Sequence, residues 1–163
     1  MKRHLAAILA ADVAGYSRIM ADDETATLAA LQSCLTEVVE PRVSQHGGRI
    51  FKTMGDGFLA EFPSVVEAVG CAGDIQRAMA ARNLRAGTLQ LLFRIGVHLG
   101  DVMAEGDDVF GDGVNVVARL QSLAEAGGVR ISRQPYDQVE GKLGVAYRSL
   151  GEQTLKTYPA RSA

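Results

Sequence analysis

Arg49-Ile50-Phe51-Lys52-Thr53-Met54-Gly55-Asp56-Gly57-Phe58-Leu59-Ala60-Glu61-Phe62 reads as two strands joined by a tight hairpin. Glycine supplies the positive φ that such turns need, and aspartate tolerates turn geometry, so Gly55-Asp56-Gly57 is the bend. This holds the Asp56 carboxylate at the tip of a rigid ribbon, with Lys52 about one strand-length behind it. A turn carboxylate by itself is commonly only solvated. A second one, Asp12, ends another apolar strand, and the pair makes a metal site worth considering.

Upstream, residues 5–12 are continuously apolar, the pattern of a strand covered on both faces. Lys2, Arg3 and His4 before this run faintly suggest a signal peptide, but the run is short and ends in Asp12, so a buried strand is the better reading. Val13-Ala14-Gly15-Tyr16-Ser17 turns the chain. Asp22 is placed to cap a helix whose apolar positions are Leu28, Leu31, Leu35 and Val38, and Pro41 should end or kink it.

Downstream, Ser64-Val65-Val66-Glu67 is a capping box, and Val65, Val69, Ala72, Ile75 and Met79 continue one helical face. Leu89, Leu91, Phe93, Ile95, Val97 and Leu99 alternate along a strand whose other face carries Arg94 and His98. Gly100 should turn the chain into a further strand, Val102 to Glu105. A Gly-rich loop, Gly106 to Gly113, then leads into a helix ending near Ala124. Val129 to Ser132 reads as a strand, 135–142 as a short helix, and Val145 to Leu150 as a strand. The order predicts an α+β fold, a ferredoxin-like, palm-type α/β sandwich with helices packed on a mostly antiparallel sheet.

The length of 163 residues suits one domain with a sizeable core. A net charge of −2 gives no bulk attraction to nucleic acid or anionic membrane, so any phosphate binding must be local. No stretch is long enough to span a bilayer. Cys34 and Cys71 lie in helical patterns without metal-ligand spacing and read as reduced core thiols of a cytoplasmic protein.

In the helix after the Gly-rich loop, Asp112, Asn115, Arg119 and Ser122 fall at spacings of three, four and three and form one polar stripe on an otherwise apolar helix. Such a stripe is either a solvated face or the wall of a wet cleft that holds an anion. Asp12 and Asp56 offer hard oxygen ligands without nearby His or Cys, which selects Mg²⁺ or Mn²⁺ over zinc. No Walker A motif, EF-hand spacing or paired Ser/His arrangement is present. His98, alone on its strand, reads as structural.

Four motifs in register carry a resemblance. Ala11-Asp12-Val13-Ala14-Gly15-Tyr16-Ser17, Phe51 to Gly57, Arg94-Ile95-Gly96-Val97-His98-Leu99-Gly100, and Asp108 to Leu120 together resemble the class III adenylate/guanylate cyclase catalytic domain. Leu150-Gly151-Glu152 and Leu155-Lys156 are similar to the end of bacterial domains of this kind, so the resemblance covers residues 5–158. It implies that Asp12 and Asp56 hold two Mg²⁺ or Mn²⁺ ions with help from the Val13 carbonyl. It further implies that backbone N–H groups of Gly15, Tyr16 and Ser17 meet the phosphates. Lys52 and Asp108 match the pair that reads adenine, the lysine donating to N1 and the aspartate accepting from the 6-amino group. Asn115 and Arg119 match the residues that orient the ribose and stabilise the pentavalent transition state, and Lys156 would contact the triphosphate.

The resemblance therefore implies an adenylate cyclase that converts ATP to 3′,5′-cyclic AMP and pyrophosphate. It also implies a homodimer with active sites at the subunit interface. The rival is a nucleotide-binding regulatory module of the same fold with little turnover; intact Asp12, Asp56, Asn115 and Arg119 speak against it. An RNA-binding sandwich would need an aromatic pair on a central strand and a basic surface. Two departures stand out. Asp101 occupies the position after H-x-G where many animal relatives place a phosphate-binding arginine. The chain also stops at Ala163, before the last strand such domains usually carry, so either a longer protein or a frayed edge is expected.

Overall fold

The computed structural model describes residues 2–132, 147–150 and 152–156. Strand β1 (Lys2–Val13) is central. It is followed by α1 (Tyr16–Asp22), α2 (Glu24–Cys34), a π-helical turn (Leu35–Val39), α3 (Glu40–Gln45), the hairpin β2 (Arg49–Met54) and β3 (Gly57–Phe62), and α4 (Val65–Asn83). Then come β4 (Phe93–Glu105), β5 (Asp108–Phe110), α5 (Asp112–Leu123), β6 (Gly128–Ile131), β7 (Tyr147–Leu150) and β8 (Glu152–Lys156). The sheet runs β2-β3-β1-β4-β6-β8-β7, with β5 added to the end of β4. Among the described residues, only the β4–β6 pair is parallel. The α+β sandwich anticipated from the pattern is the observed architecture. The anticipated 135–142 helix lies outside the described residues.

Both faces of β1 are covered, as its unbroken apolar run requires. Ala7, Leu9, Ala11 and Val13 point into the larger core with Phe58, Phe93, Ile95 and the inner face of α4. Ala6, Ile8 and Ala10 face a smaller cluster with Leu59, Val102, Val109 and Val117 beneath α5. Phe58 and Phe93 meet edge-on with ring centres 6.1 Å apart. Gln76, buried on α4, donates from Nε2 to the Phe93 carbonyl (2.9 Å) and the Gly128 carbonyl (3.0 Å), which ties the starts of β4 and β6 to the helix. Cys34 and Cys71 are buried free thiols, and burial pushes Cys71 up to about 12, in keeping with core roles.

Several local expectations are corrected. Residues 89–92 precede the strand instead of belonging to it, because the Asn83 side chain takes up both backbone groups of Leu91, at 2.9 and 3.3 Å. Gly100 does not turn: β4 runs straight through it. A Cβ there would come within 2.4 Å of the His98 ring, so Gly100 leaves room for that side chain, while one at Gly96 would stand 2.5 Å from the Gln121 nitrogen, so Gly96 lets α5 lie directly on the strand. That helix is less enclosed than its apolar composition implies, since Ala118 and Leu123 are exposed. Asp23, not Asp22, caps α2, its carboxylate accepting from the Ala26 N–H at 3.0 Å, while residues 16–22 form a helix of their own. Pro41 neither ends nor breaks the helical run. The π turn ahead of it absorbs the missing N–H, and Arg42 Nη1 donates to the Val38 carbonyl at 3.0 Å.

At the end of α3, His46 is held between two carboxylates of α4, with Nδ1 2.7 Å from Glu67 and Nε2 2.7 Å from Asp74. Burial works against its charged form. Hydrogen bonds to Asp74 and Glu67, and the charges of both, outweigh burial and raise the pKa above the ordinary histidine value. A raised folded-state pKa contributes stability that is complete below the unfolded value of about 6.5 and is lost as pH rises through the folded value. His46→Gln should therefore flatten the fall in Tm between about pH 6 and 8. With both carboxylates partly exposed, the difference should amount to roughly 2–4 °C or less. Parallel Tm–pH curves for the two proteins in thermal melts would refute the linkage.

Candidate active site

The hairpin tip and the end of β1 come together through one close approach. Phe58 pairs with Ala11, and a Cβ at Gly57 would stand 2.7 Å from the Ala11 carbonyl oxygen, so only glycine lets the turn close on β1. Gly55, with φ of +54°, makes the bend. As a result, the Val13 N–H donates to Asp56 Oδ2 at 3.0 Å, which draws the hairpin carboxylate alongside Asp12.

Asp12 itself faces Arg94, its direct cross-strand partner on β4. Arg94 Nε donates to Asp12 Oδ1 at 2.9 Å and Nη2 to Oδ2 at 2.7 Å, a bidentate pair. Hydrogen bonding to Asp12 raises the Arg94 pKa, with the charges of Asp12 and Asp56 adding to it against burial. A third N–H, on Nη1, reaches the Ser122 carbonyl near the end of α5 at 3.2 Å. Asp12, Val13, Gly15, Tyr16, Ser17, Arg18, Asp56 and Arg94 line one open cleft of about 510 Å³.

The chain therefore brings Asp12, Val13 and Asp56, expected to hold cations, together with Gly15, Tyr16 and Ser17, expected to meet phosphate. Two further wall residues, Arg18 and Arg94, had no assigned role in the sequence reading. The position of Arg94 on the polar face of a strand was visible there, but its pairing with Asp12 was not. The donor set is two carboxylates, both hard oxygens, with Val13 lining the same cleft, which fits Mg²⁺ or Mn²⁺ entering with its own water and phosphate ligands. Among the described residues, no three His, Cys, Asp or Glu side chains gather as they would for a cation held by protein alone.

Asn115 and Arg119 do not line that cleft. They are exposed on α5 and border a separate hollow of about 310 Å³ with Asp112, Val116 and Leu120. The polar stripe is thus solvated in the single chain and at the same time forms a concave wall.

Lys52 and Asp108 are also exposed. A bulge at Phe51 shifts the β2–β3 register, so Phe51 packs on the smaller core while Lys52 pairs with Leu59. Arg49 Nη1 donates to the Asp107 carbonyl at 3.0 Å, linking the strand that carries Lys52 to the turn before Asp108. Asp108 accepts from the Val109 N–H at 2.9 Å. Lys156 lies on β8, its backbone opposite Gly128. His98 contacts Ser132 Oγ through Nδ1 at 2.9 Å, and burial lowers its pKa despite the Asp112 charge, which suits a structural role.

A palm-type sheet with one carboxylate at the end of its central strand and a second on the adjoining hairpin defines a class of nucleotide-handling domains, and the relatives of this chain narrow it. The profile of the adenylate and guanylate cyclase catalytic domain matches residues 2–162, and the chain belongs to that family. It is 48% identical over 157 residues to Putative adenylate cyclase 3 of Rhizobium meliloti, a match covering 96% of this chain and 27% of that protein. It is 31% identical over 114 residues to an adenylate cyclase of Streptomyces coelicolor, 70% of this chain and 29% of the relative. The chain thus spans less than a third of either curated protein. In fold it superposes with a TM-score of 0.86 on the crystal structure of an adenylate/guanylate cyclase/hydrolase from Silicibacter pomeroyi, 39% identical, covering 96% of this chain and 92% of that one. Among the described residues, no helix is long and apolar enough to cross a membrane.

Proposed function

We propose that this domain is a cytoplasmic adenylate cyclase that forms 3′,5′-cyclic AMP and pyrophosphate from ATP as a homodimer with two composite sites. The observation that carries the proposal is the division of the candidate residues between two clefts of one chain. Asp12 and Asp56 lie in one, Asn115 and Arg119 in the other, and neither cleft alone holds a full set of reacting groups. A head-to-tail pair of chains sets the α5 hollow of one over the carboxylate cleft of the other, twice, by two-fold symmetry.

In that arrangement Asp12, Asp56 and the Val13 carbonyl would hold two Mg²⁺ or Mn²⁺ ions, which supply charge stabilisation at the α-phosphate and acidify the ribose 3′-hydroxyl. The 3′-hydroxyl releases its proton to solvent as its oxygen attacks the α-phosphorus in line, and pyrophosphate leaves from the opposite side. Asn115 orients the ribose, and Arg119 stabilises the charge on the pentavalent phosphorus. The N–H groups of Gly15, Tyr16 and Ser17, with Lys156, meet the polyphosphate. Lys52 donates to adenine N1, and Asp108 accepts from the 6-amino group.

Adenine over guanine rests on the presence of both adenine-type side chains, exposed on strands joined through Arg49 and Asp107. Incubation with ATP or GTP plus Mn²⁺, followed by chromatography of the products, tests the assignment. Cyclic AMP from ATP, with little cyclic GMP, is the expected outcome; a preference for GTP would make the domain a guanylate cyclase. Lys52→Glu with Asp108→Cys should lower kcat/KM for ATP by about ten- to a hundredfold, the scale of unmatched polar groups at about 1–3 kcal/mol. The same double variant should gain GTP turnover. Unchanged ATP kinetics would remove both residues from base reading.

A further inference from the structure

Arg94 is the best-anchored charged side chain in the carboxylate cleft, and no step above uses it. Its guanidinium donates to both oxygens of Asp12, at 2.9 and 2.7 Å, and to the Ser122 carbonyl at 3.2 Å. Strand register sets it directly opposite Asp12, so the contact is built into the sheet. With three of its N–H groups engaged on two elements, it cannot swing aside without breaking several hydrogen bonds at once.

We infer that Arg94 is a positioning residue that sets the cation affinity of the Asp12–Asp56 pair, keeping it low until a polyphosphate arrives. The inference rests on the reading of that pair as the metal site. A bidentate guanidinium uses one edge of a carboxylate, and an ionised carboxylate has about four lone-pair sites, so Asp12 retains capacity for a cation while held by Arg94. The two groups coexist sterically and oppose one another electrically. With Arg94 in place, the Asp12, Asp56 and Arg94 cluster carries one net negative charge; without it, two. A divalent ion arriving bare meets the smaller attraction. An ion arriving on a triphosphate brings its own negative charge, which both satisfies the ion and is favoured by the arginine. Arg94 thereby favours loading of the cation together with nucleotide and disfavours idle occupation of the empty cleft.

The test measures Mn²⁺ binding to the folded domain by electron paramagnetic resonance of the free ion, with no turnover involved. Arg94→Gln should bind Mn²⁺ about five- to tenfold more tightly than wild type, the scale of one charge acting across a solvent-filled cleft. Arg94→Lys, which keeps the charge and loses the fork, should stay within about twofold of wild type. Arg94→Met keeps an aliphatic stem and removes the charge, and should follow Gln if Gln folds poorly.

The sign separates this role from a purely structural one. A site merely loosened by loss of its support would bind Mn²⁺ more weakly. The preformed Mn²⁺–tripolyphosphate complex should bind wild type more tightly than Arg94→Gln, read as protein-bound Mn²⁺ by equilibrium dialysis. Unchanged or weaker Mn²⁺ binding in Arg94→Gln and Arg94→Met overturns the inference and leaves the metal site standing. Wild-type binding that survives Asp12→Asn and Asp56→Asn unchanged overturns the metal site, and the inference with it.

Discussion

Asp12→Ala and Asp56→Ala are each expected to abolish cyclisation at every Mg²⁺ or Mn²⁺ concentration while the domain stays folded. Each carboxylate is half of an oxygen donor set with no third side chain to replace it among the described residues. Removing one ligand forfeits charge stabilisation worth several kcal/mol in the transition state, so turnover should fall at least about a thousandfold. The structural costs are small and distinct. Asp12→Ala strands Arg94, whose pair is partly exposed, with side-chain accessibilities of 30% for Arg94 and 23% for Asp12. A pair of that exposure contributes about 1 kcal/mol, or roughly 2–4 °C in Tm. Asp56→Ala removes the acceptor of the Val13 N–H and a charge that favours Arg94. Thermal melts beside an assay for cyclic nucleotide separate the two effects. Near wild-type turnover in either variant would show that the ions are held elsewhere.

Mixing two inactive variants should restore activity. Asp56→Ala damages the carboxylate cleft and Arg119→Ala the α5 hollow, and the structure keeps these surfaces apart in one chain. Arg119 is exposed, so its loss leaves the core intact. After subunit exchange, half of the dimers contain one chain of each kind, each with one wholly wild-type site and one doubly damaged site. Activity should rise from near zero to roughly a quarter of wild type, and the recovery should fade on dilution below the dimer dissociation constant. Exchange can be followed with two affinity tags. A mixture no more active than its components, despite proven exchange, would show that each site is complete within one chain, and the homodimer proposal would fall.

Where local chemistry dictates conformation, the sequence alone sufficed. Gly55-Asp56-Gly57 bends because its backbone needs are met by those residue types alone, and the hairpin forms where anticipated. The apolar run that ends in Asp12 reads as a strand covered on both faces, and Ala6 to Ala11 are buried, with Leu5 exposed at its start. Ser64 caps α4, accepting from the Glu67 N–H at 3.2 Å, because the side chain and N–H lie within one turn of each other. Where a residue answers to a distant neighbour, local reading went astray. Gly100 has the sequence signature of a turn, yet it lies within a continuous strand, where a Cβ would meet the His98 ring and come within 3.4 Å of Gly113 on α5. Leu89 alternates like a strand residue, but the segment from it to Leu92 is held by Asn83 on another element.

The site divides in the same way. Which residues are carboxylates at strand ends, and which form a stripe on α5, was legible from spacing. That Asp12 and Asp56 share a cleft depends on Gly57 closing against the Ala11 carbonyl, a contact between residues 46 positions apart in sequence. That Arg94 takes hold of Asp12, 82 residues away, follows from the β1–β4 register, and no local pattern encodes register. Tertiary structure alone also decided that Asn115 and Arg119 face a different hollow from the carboxylates. Helical periodicity places side chains on a common stripe, but only the packing of α5 against Gly96 and Gly100 determines where that stripe points.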